Sequence, residues 1–214
     1  RISKAIKAVL DTNIILHNRR DCYELYFHSM AFKLLLIKLW LYGKKCNEKF
    51  IPDIFYNVKE GVQKALLKGL IESDGYIVID KTMSYARRKV IGFCTVSHKL
   101  AQNFTYVLRQ LGIFPSIVTR RGKDHIRAGK LFKSNYDRFD ITISSKEQIV
   151  SMKDLWQEHK DAWKLNEWVN SRNLRGNWGK KILHISKDFV GIEVKSCKRI
   201  DCKDEYVYDF SVPG

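Results

Sequence analysis

No apolar run in the 214-residue sequence approaches the roughly 20 residues that a membrane-spanning helix requires, and no signal peptide is visible. The five cysteines are odd in number and contain no C-x-x-C pair, and the six histidines are scattered without ligand spacing. We therefore expect free thiols, no membrane partner, and a location inside the cell, in the cytoplasm or with the nucleoid or nucleus.

Acidic residues are scarce relative to basic ones. The sequence holds 39 lysines and arginines against 23 aspartates and glutamates, which gives a formal charge of +16. This excess predicts a polyanionic partner, most simply nucleic acid, with an anionic membrane surface as the rival. Hydrophobic residues make up 45% of the chain, enough for a sizeable core, so a disordered chain is excluded.

Residues 65–79, ALLKGLIESDGYIVI, combine a helical pattern with a strand. Gly69 lies within the helical part, where glycine costs about 1 kcal/mol relative to alanine, and this predicts close approach by another helix. Gly75 is expected to end the helix in the left-handed conformation. Asp74 would then lie at the negative end of the helix dipole and need a cation. An ordinary buried helix with an Asp-Gly turn is the alternative.

Residues 67–75, LKGLIESDG, resemble the LAGLIDADG motif of homing endonucleases. In that family two such helices pack together through small residues, and the aspartates at their ends hold divalent metal over the DNA. The resemblance covers most of residues 20–165. Three flanking segments resemble the same family, namely KFIP at 49–52, TVS at 95–97 and LGI at 111–113.

The resemblance implies an α+β endonuclease fold of αββαββα order with a twisted antiparallel sheet, and hydrolysis of double-stranded DNA with Mg²⁺ or Mn²⁺. Metal ions can activate water, neutralise charge and assist the leaving oxygen with few protein ligands. Asp74 would supply a carboxylate ligand and Ser73 a carbonyl ligand. Lys49 would act near the site, with Lys164 as the second candidate, and Gly69 would lie in the helix interface.

Residues 21–29 and 137–145 match at an offset of 116, acid with acid and aromatic with aromatic. The Leu-Trp pairs at 39–40 and 155–156 match at the same offset. This predicts an internal repeat of a strand followed by a helix. Chance similarity between two amphipathic segments is the alternative. The site would then need a missing first half, upstream in a parent protein, or a second copy of the chain.

We expect four segments: the remainder of a first pseudo-repeat at 1–57, a complete repeat at 58–169, a basic linker at 170–188 and a small β segment at 189–214. In the last segment, VYDFSV resembles a block of intein splicing domains, with Asp209 as the counterpart of an aspartate that assists splicing. The chain lacks a nucleophilic first residue and a terminal His-Asn pair, so as given we do not expect it to splice.

Elsewhere, sequence patterns predict the remaining elements. The tryptophans of the last helical pattern, residues 148–169, are expected to be packed in the core. Ser29 is a plausible N-cap for a helix to about Leu41. Helices are expected at 58–74, 98–111 and 146–157, and strands at 6–10, 13–16, 21–27, 76–80, 88–96, 114–121, 136–144, 190–194 and 206–212.

Basic residues recur between the last two strands of the complete repeat, along an expected hairpin extension. A two-stranded ribbon can enter the major groove of DNA, where arginine reads guanine and lysine holds phosphate. A solvated charged loop is the alternative. The candidate DNA-binding residues are Arg120, Arg121, Lys123, Arg127, Lys130 and Lys133.

Two functions follow from the resemblance. The first is a site-specific DNA homing endonuclease of the intein-encoded kind. The second is a catalytically incomplete DNA- or RNA-binding module on the same scaffold, such as a maturase or a regulator. Only one G-x-x-x-x-D-G motif is present, which leaves the activity of this piece alone open.

Overall fold

The computed structural model describes residues 2–19, 22–79, 89–122, 124–127, 130–169, 182–184, 190–192, 194 and 196–199. The chain divides into two compact units, residues 1–178 and 179–214. None of the helices within these described ranges is both long and apolar enough to cross a membrane.

The first unit begins with four helices and strands, which a 3₁₀ helix (Asp53–Tyr56) separates from the expected repeat at 58–169. They are helix α1 (Ile2–Leu10), strands β1 (Ile14–Arg19) and β2 (Cys22–Phe27), which pair antiparallel, and helix α2 (Met30–Lys38). The expected strand at 6–10 is wrong. The apolar residues Ile2, Ile6 and Leu10 are four positions apart, as on one face of a helix, and lysines lie between them. This helical spacing is a stronger signal than the short apolar run.

Residues 58–169 have the expected αββαββα order, and the α+β fold class is confirmed. A two-stranded ribbon is inserted before the last strand, the expected final helix at 146–157 is divided into two, and a further helix follows it. The elements are α3 (Glu60–Asp74), β3 (Gly75–Ile79), β4 (Lys89–Thr95), α4 (His98–Gln110), β5 (Ser116–Arg120), β6 (His125–Arg127), β7 (Lys130–Phe132), β8 (Arg138–Ile143), α5 (Lys146–Ser151), α6 (Lys153–Trp156) and α7 (Ala162–Val169).

Four strands of the repeat form one antiparallel sheet in the order β3-β4-β8-β5. Alternate side chains of these strands pack against the helices on one face, because successive strand residues point to opposite sides. There Phe93 of β4 stacks on Phe104 of α4 with ring centroids 4.4 Å apart. Leu67 and Ile71 of α3 and Trp156 of α6 complete this buried core. On the other face, called the open face below, the described residues Val78, Val118 and Arg120 are exposed, whereas Val90 and Asp140 are buried.

The strand and helix of the proposed repeat occupy corresponding positions. Strand β2 spans 22–27 and β8 spans 138–143, so both ends keep the offset of 116. Ser29 and Ser145 precede α2 and α5 at the same offset. The N-cap prediction for Ser29 is confirmed, since its Oγ accepts a hydrogen bond from the Phe32 amide at 3.2 Å. The helix it begins ends earlier than expected, at Lys38.

The tryptophans that were expected to pack in the core differ in their exposure to solvent. Trp156 is fully buried and donates its indole N–H to the Ile149 carbonyl at 2.8 Å. Trp163 is 62% exposed, so the packing prediction is wrong there. It lies on the outer side of α7, whereas Leu165 of the same helix is fully buried.

The second unit contains an antiparallel pair of strands, β9 (Ile182–His184) and β10 (Val190–Ile192). Strand β9 lies inside the segment expected to be a basic linker, so residues 182–184 are a correction to that prediction. Its Ile-Leu-His sequence forms backbone hydrogen bonds with the Val-Gly-Ile sequence of β10. The linker was predicted from its basic and polar residues, and that composition does not reveal strand pairing. The expected strand at 206–212, with Asp209, lies outside the described residues.

Candidate active site

Helix α3 passes directly into β3 without a turn. Gly75 has φ −77° and ψ 162°, so the predicted left-handed cap is wrong. Glycine is needed for a different reason: a Cβ on Gly75 would lie 2.2 Å from the carbonyl oxygen of Ile71. The chain can therefore leave the helix at once only because position 75 has no side chain. Asp74 becomes the last helical residue, and its side chain is exposed.

Strand register locates Asp74 relative to the sheet. Gly75 pairs with Phe93, and Phe93 pairs with Ile141. Residue 74 therefore lies in line with Cys94 of β4 and Asp140 of β8. Burial, and then the hydrogen bond with Asp140, raises the pKa of the Cys94 thiol to about 11, with a smaller contribution from the charge of Asp74. Cys94 thus stays a neutral thiol beside the carboxylates.

A buried histidine supports the α3–β3 junction, and sequence reasoning missed it. His159 Nδ1 accepts the Asp161 backbone N–H at 3.1 Å. Its Nε2 lies 3.3 Å from the Gly75 carbonyl oxygen, to which it can then donate. His159 and Gly75 are 84 residues apart in sequence, so no local pattern could have indicated the contact.

The segment around Lys49 is hydrogen-bonded next to the C-terminal end of β4, the end that pairs with the start of β3. The Lys49 carbonyl accepts a hydrogen bond from Ser97 Oγ at 2.5 Å, and the same hydroxyl caps α4 by accepting from the Leu100 amide. The Ile51 amide donates to Asn103 Oδ1 at 3.1 Å. These bonds hold the backbone of the segment, while the Lys49 side chain remains exposed.

Lys164 lies on α7, which packs against β3. Its ammonium group is 2.8 Å from Asp161 Oδ1, and this contact lowers the pKa of Asp161. The second lysine candidate is therefore already paired with a carboxylate, and its role near the site stays a prediction. The helix that carries Lys164 nevertheless contacts β3, the strand that begins at the junction.

Metal ligands are few at this site. Among the described residues, no group of three or more His, Cys, Asp or Glu side chains is arranged to hold a metal ion. Ser73 uses its hydroxyl to donate to the Leu70 carbonyl at 3.0 Å, so its own carbonyl is the group left for the predicted role. An exposed carboxylate and a carbonyl at the negative end of a helix suit a hard cation that keeps most of its waters.

One face of α3 is open in this chain. An added Cβ at Gly69 would have no neighbouring atom within 4 Å among the described residues. Gly61, Ala65 and Ser73 are also exposed and follow the same four-residue spacing. This face is opposite Leu67, which is fully buried in the core. Residues with small or absent side chains thus form one side of the helix that ends at Asp74.

The open face of the sheet carries a charged trio that sequence reasoning identified only in part. Arg120 of β5 and Arg138 of β8 both contact the buried carboxylate of Asp140. Arg120 was a candidate, whereas Arg138 and Asp140 were not. The available signal was an acid inside an apolar strand, Phe-Asp-Ile-Thr-Ile. Next to the trio, the Tyr76 ring crosses Gly92, where a Cβ would lie 2.1 Å from it.

The expected hairpin extension is present as the antiparallel pair β6 and β7, separate from the four-stranded sheet. Arg127 and Lys130 pair in register at its tip. Arg121 and Lys133 are exposed, and Lys123 lies outside the described residues. The ribbon is therefore confirmed as structure, and its contact with DNA stays a prediction.

The central part of the chain is similar to one family of known proteins. Residues 61–160 match the LAGLIDADG-like domain family. This match covers just under half of the chain, from the second residue of α3 to the residue after His159. It includes the α3–β3 junction, the whole four-stranded sheet and the ribbon.

Individual relatives match longer or shorter parts of the chain. ATP-dependent DNA helicase Hel308 of Methanocaldococcus jannaschii is 27% identical over 194 residues, 87% of this chain and 14% of that protein. Homothallic switching endonuclease of Saccharomyces cerevisiae is 32% identical over 98 residues, 46% of this chain and 16% of that protein. The chain therefore spans about one seventh of the length of these relatives.

Among solved structures, I-DmoI in complex with DNA and Ca is similar to this chain. The sequence identity is 17%, the TM-score is 0.48, and the similarity covers 78% of this chain and 73% of that one.

Proposed function

We propose that the chain forms one half of a site-specific endonuclease that hydrolyses phosphodiester bonds in double-stranded DNA with divalent metal ions. The observation that carries this proposal is the position of Asp74. It is an exposed carboxylate at the end of α3, at the same end of the sheet as Arg120 and Arg138. A reactive phosphate beside Asp74 would belong to a duplex lying on the open face. The name of the yeast relative, an endonuclease, supports the same reading.

Asp74 and the Ser73 carbonyl would hold Mg²⁺ or Mn²⁺. The metal would activate a water molecule and neutralise charge on the phosphate. Lys49 would lie next to the reacting phosphate, because hydrogen bonds attach its segment to the end of β4. Lys164 is a weaker candidate for a role at the reacting phosphate, since its ammonium group is already paired with Asp161.

A second helix end would complete the site. The open face of α3, which includes Gly69, would pack against an equivalent helix. That contact would bring a second aspartate next to Asp74. That helix would come from a preceding half or from a second copy of the chain. The offset of 116 between β2 and β8 supports a preceding half, because α1 to α2 then represent the end of an earlier repeat.

The chain would be a module of the intein-encoded kind that can occur within different proteins. Its similarity extends to the helicase of Methanocaldococcus jannaschii and to the endonuclease of Saccharomyces cerevisiae, and covers 14–16% of each. Proteins with different names thus share one block. On this proposal, Asp209 in the segment 189–214 belongs to a splicing domain, and the endonuclease is residues 1–169.

A second candidate is a DNA- or RNA-binding module that has lost cleavage, such as a maturase or regulator. It is favoured by the small number of metal ligands, since Asp74 lacks two further acidic, His or Cys neighbours within the described part of the chain. The basic ribbon and sheet would serve binding equally well in both cases.

The test is Asp74→Asn in the full protein that contains this chain. We expect loss of metal-dependent cleavage with DNA affinity changed by less than about tenfold, because affinity arises from many phosphate contacts. Asp154→Asn is the matched control, since Asp154 is exposed on α6 near Lys64, about 15 Å along α3 from Asp74. Nicking and gel-shift affinity are measured together. Normal cleavage by Asp74→Asn would remove Asp74 from the catalytic site, whereas DNA binding without cleavage by the unaltered protein would favour the binding module.

A further inference from the structure

We propose that Asp140 is a positioning residue that holds Arg120 and Arg138 as a fixed pair of hydrogen-bond donors for guanine edges in the major groove. The inference rests on the proposed function, since it assumes that duplex DNA lies on the open face of the sheet. The inference names the side chains on that face that would discriminate between base pairs.

The three side chains form one compact group. Asp140 is 4% exposed. Its Oδ2 accepts from Arg120 Nε at 2.5 Å and from Arg138 Nη2 at 3.0 Å. Arg138 Nε lies 3.0 Å from the other carboxylate oxygen. Both arginine side chains are 52% exposed. Arg138 therefore contacts the carboxylate through two nitrogens and Arg120 through Nε, while about half of each arginine side chain stays exposed.

Strand register explains why an acid is needed between the arginines. Arg120 and Arg138 are direct partners across β5 and β8. Like charges directly opposite on neighbouring strands repel. Asp140, two residues along β8, supplies the opposite charge between them. Without it the two guanidinium groups would separate and sample many orientations.

The charge state of Asp140 fits this role. Burial alone would raise the pKa of Asp140, but hydrogen bonds from Arg138 and Arg120 outweigh burial and hold it below the usual value. The group is therefore ionised at neutral pH, and the trio carries a net charge of one positive unit. Removal of the carboxylate would raise that charge by one unit.

This arrangement suits base edges better than phosphates. Phosphate binding depends on net positive charge, which Asp140 reduces. Guanine recognition depends on two donors held in a fixed geometry toward O6 and N7, which Asp140 provides. Arginines at adjacent strand positions can reach neighbouring base pairs. Because Asp74 is two strands from Asp140, about 10 Å away, the guanines should lie within about five base pairs of the cleaved bond.

The experiment compares Asp140→Asn with Asp137→Asn on the full chain. Asp137 is exposed just before β8 and accepts the Gly122 backbone amide at 3.2 Å, so its replacement changes the charge equally and leaves Asp140, the carboxylate that both arginines contact, in place. Base preference is measured by selection from a randomised duplex in EDTA, together with affinity for non-specific DNA. Circular dichroism checks folding.

We expect Asp140→Asn to reduce guanine preference at one or two neighbouring positions by about fivefold to 150-fold. Non-specific affinity should be unchanged or higher, because the positive charge increases. Asp137→Asn should keep the preference profile of the unaltered chain. An unchanged profile in Asp140→Asn, or an equal loss at every position, would overturn the inference.

A second pair of variants covers the case in which Asp140→Asn does not fold. Arg120→Lys and Arg138→Lys keep the charge but remove the forked donors, and both sites are half-exposed. Each should lose preference at one base pair, and retention by both overturns the inference. Failure of the unaltered chain to bind DNA would overturn the proposed function as well. Sequence-specific binding with unchanged preference in the variants would overturn only the role of Asp140.

Discussion

Alanine at Gly75 and at Gly69 should change the stability of the chain in opposite directions. At Gly75 the new Cβ would lie 2.2 Å from the Ile71 carbonyl oxygen and 2.8 Å from the Ile71 Cα. Both atoms belong to the backbone of α3, so the clash can be relieved only by unwinding the last turn. The φ of −77° is itself acceptable for alanine. The whole cost is therefore steric, about 1–3 kcal/mol, or a fall in Tm of about 2–12 °C.

At Gly69 the same change should stabilise the chain. The new Cβ would contact no atom within 4 Å among the described residues, and the residue is in the middle of α3. Alanine should thus increase the free energy of unfolding by about 0.5–1 kcal/mol. In the full protein, however, the added methyl group would separate α3 from a second helix. Cleavage should then fall although the isolated chain is more stable.

Urea unfolding followed by far-UV circular dichroism measures both free energies on the 214-residue chain. Nicking assays on the full protein measure the second effect. Destabilisation by Gly69→Ala would show that this face of α3 is already covered. A neutral Gly75→Ala would contradict the direct passage from helix to strand. Greater stability with normal cleavage in Gly69→Ala would remove Gly69 from the proposed interface.

Two further predictions concern the lysine candidate and the repeat. Lys49→Ala should slow cleavage more than it weakens DNA binding, because one lost phosphate contact changes affinity only modestly; parallel losses in single-turnover rate and gel-shift affinity would make Lys49 an ordinary phosphate contact. Trp156→Ala should cost about 3–5 kcal/mol of unfolding free energy, since Trp156 is fully buried. Its counterpart at the offset of 116, Trp40, is 74% exposed, so Trp40→Ala should stay within about 0.5 kcal/mol in the isolated chain. Comparable losses at both positions in urea unfolding would contradict this difference in burial.

Helices and strands with strong local patterns could be predicted from sequence. Helix α3 and strand β8 appear within two residues of their expected bounds. Their apolar positions repeat with the period of a helix or a strand, and the Ser29 cap depends only on residues three apart. Helix α1 was mistaken for a strand because the apolar run at 6–10 is too short to distinguish the two periods.

The sequence by itself thus determined the order of elements in the repeat, the excess of positive charge and the position of Asp74 at a helix end. Only the tertiary structure decided how Gly75 leaves the helix, which acid holds Arg120, and which side chain supports the junction. Asp140 is 20 residues from Arg120, and His159 is 84 residues from Gly75. Contacts of this kind depend on how strands align and helices pack, and local periodicity carries no information about either.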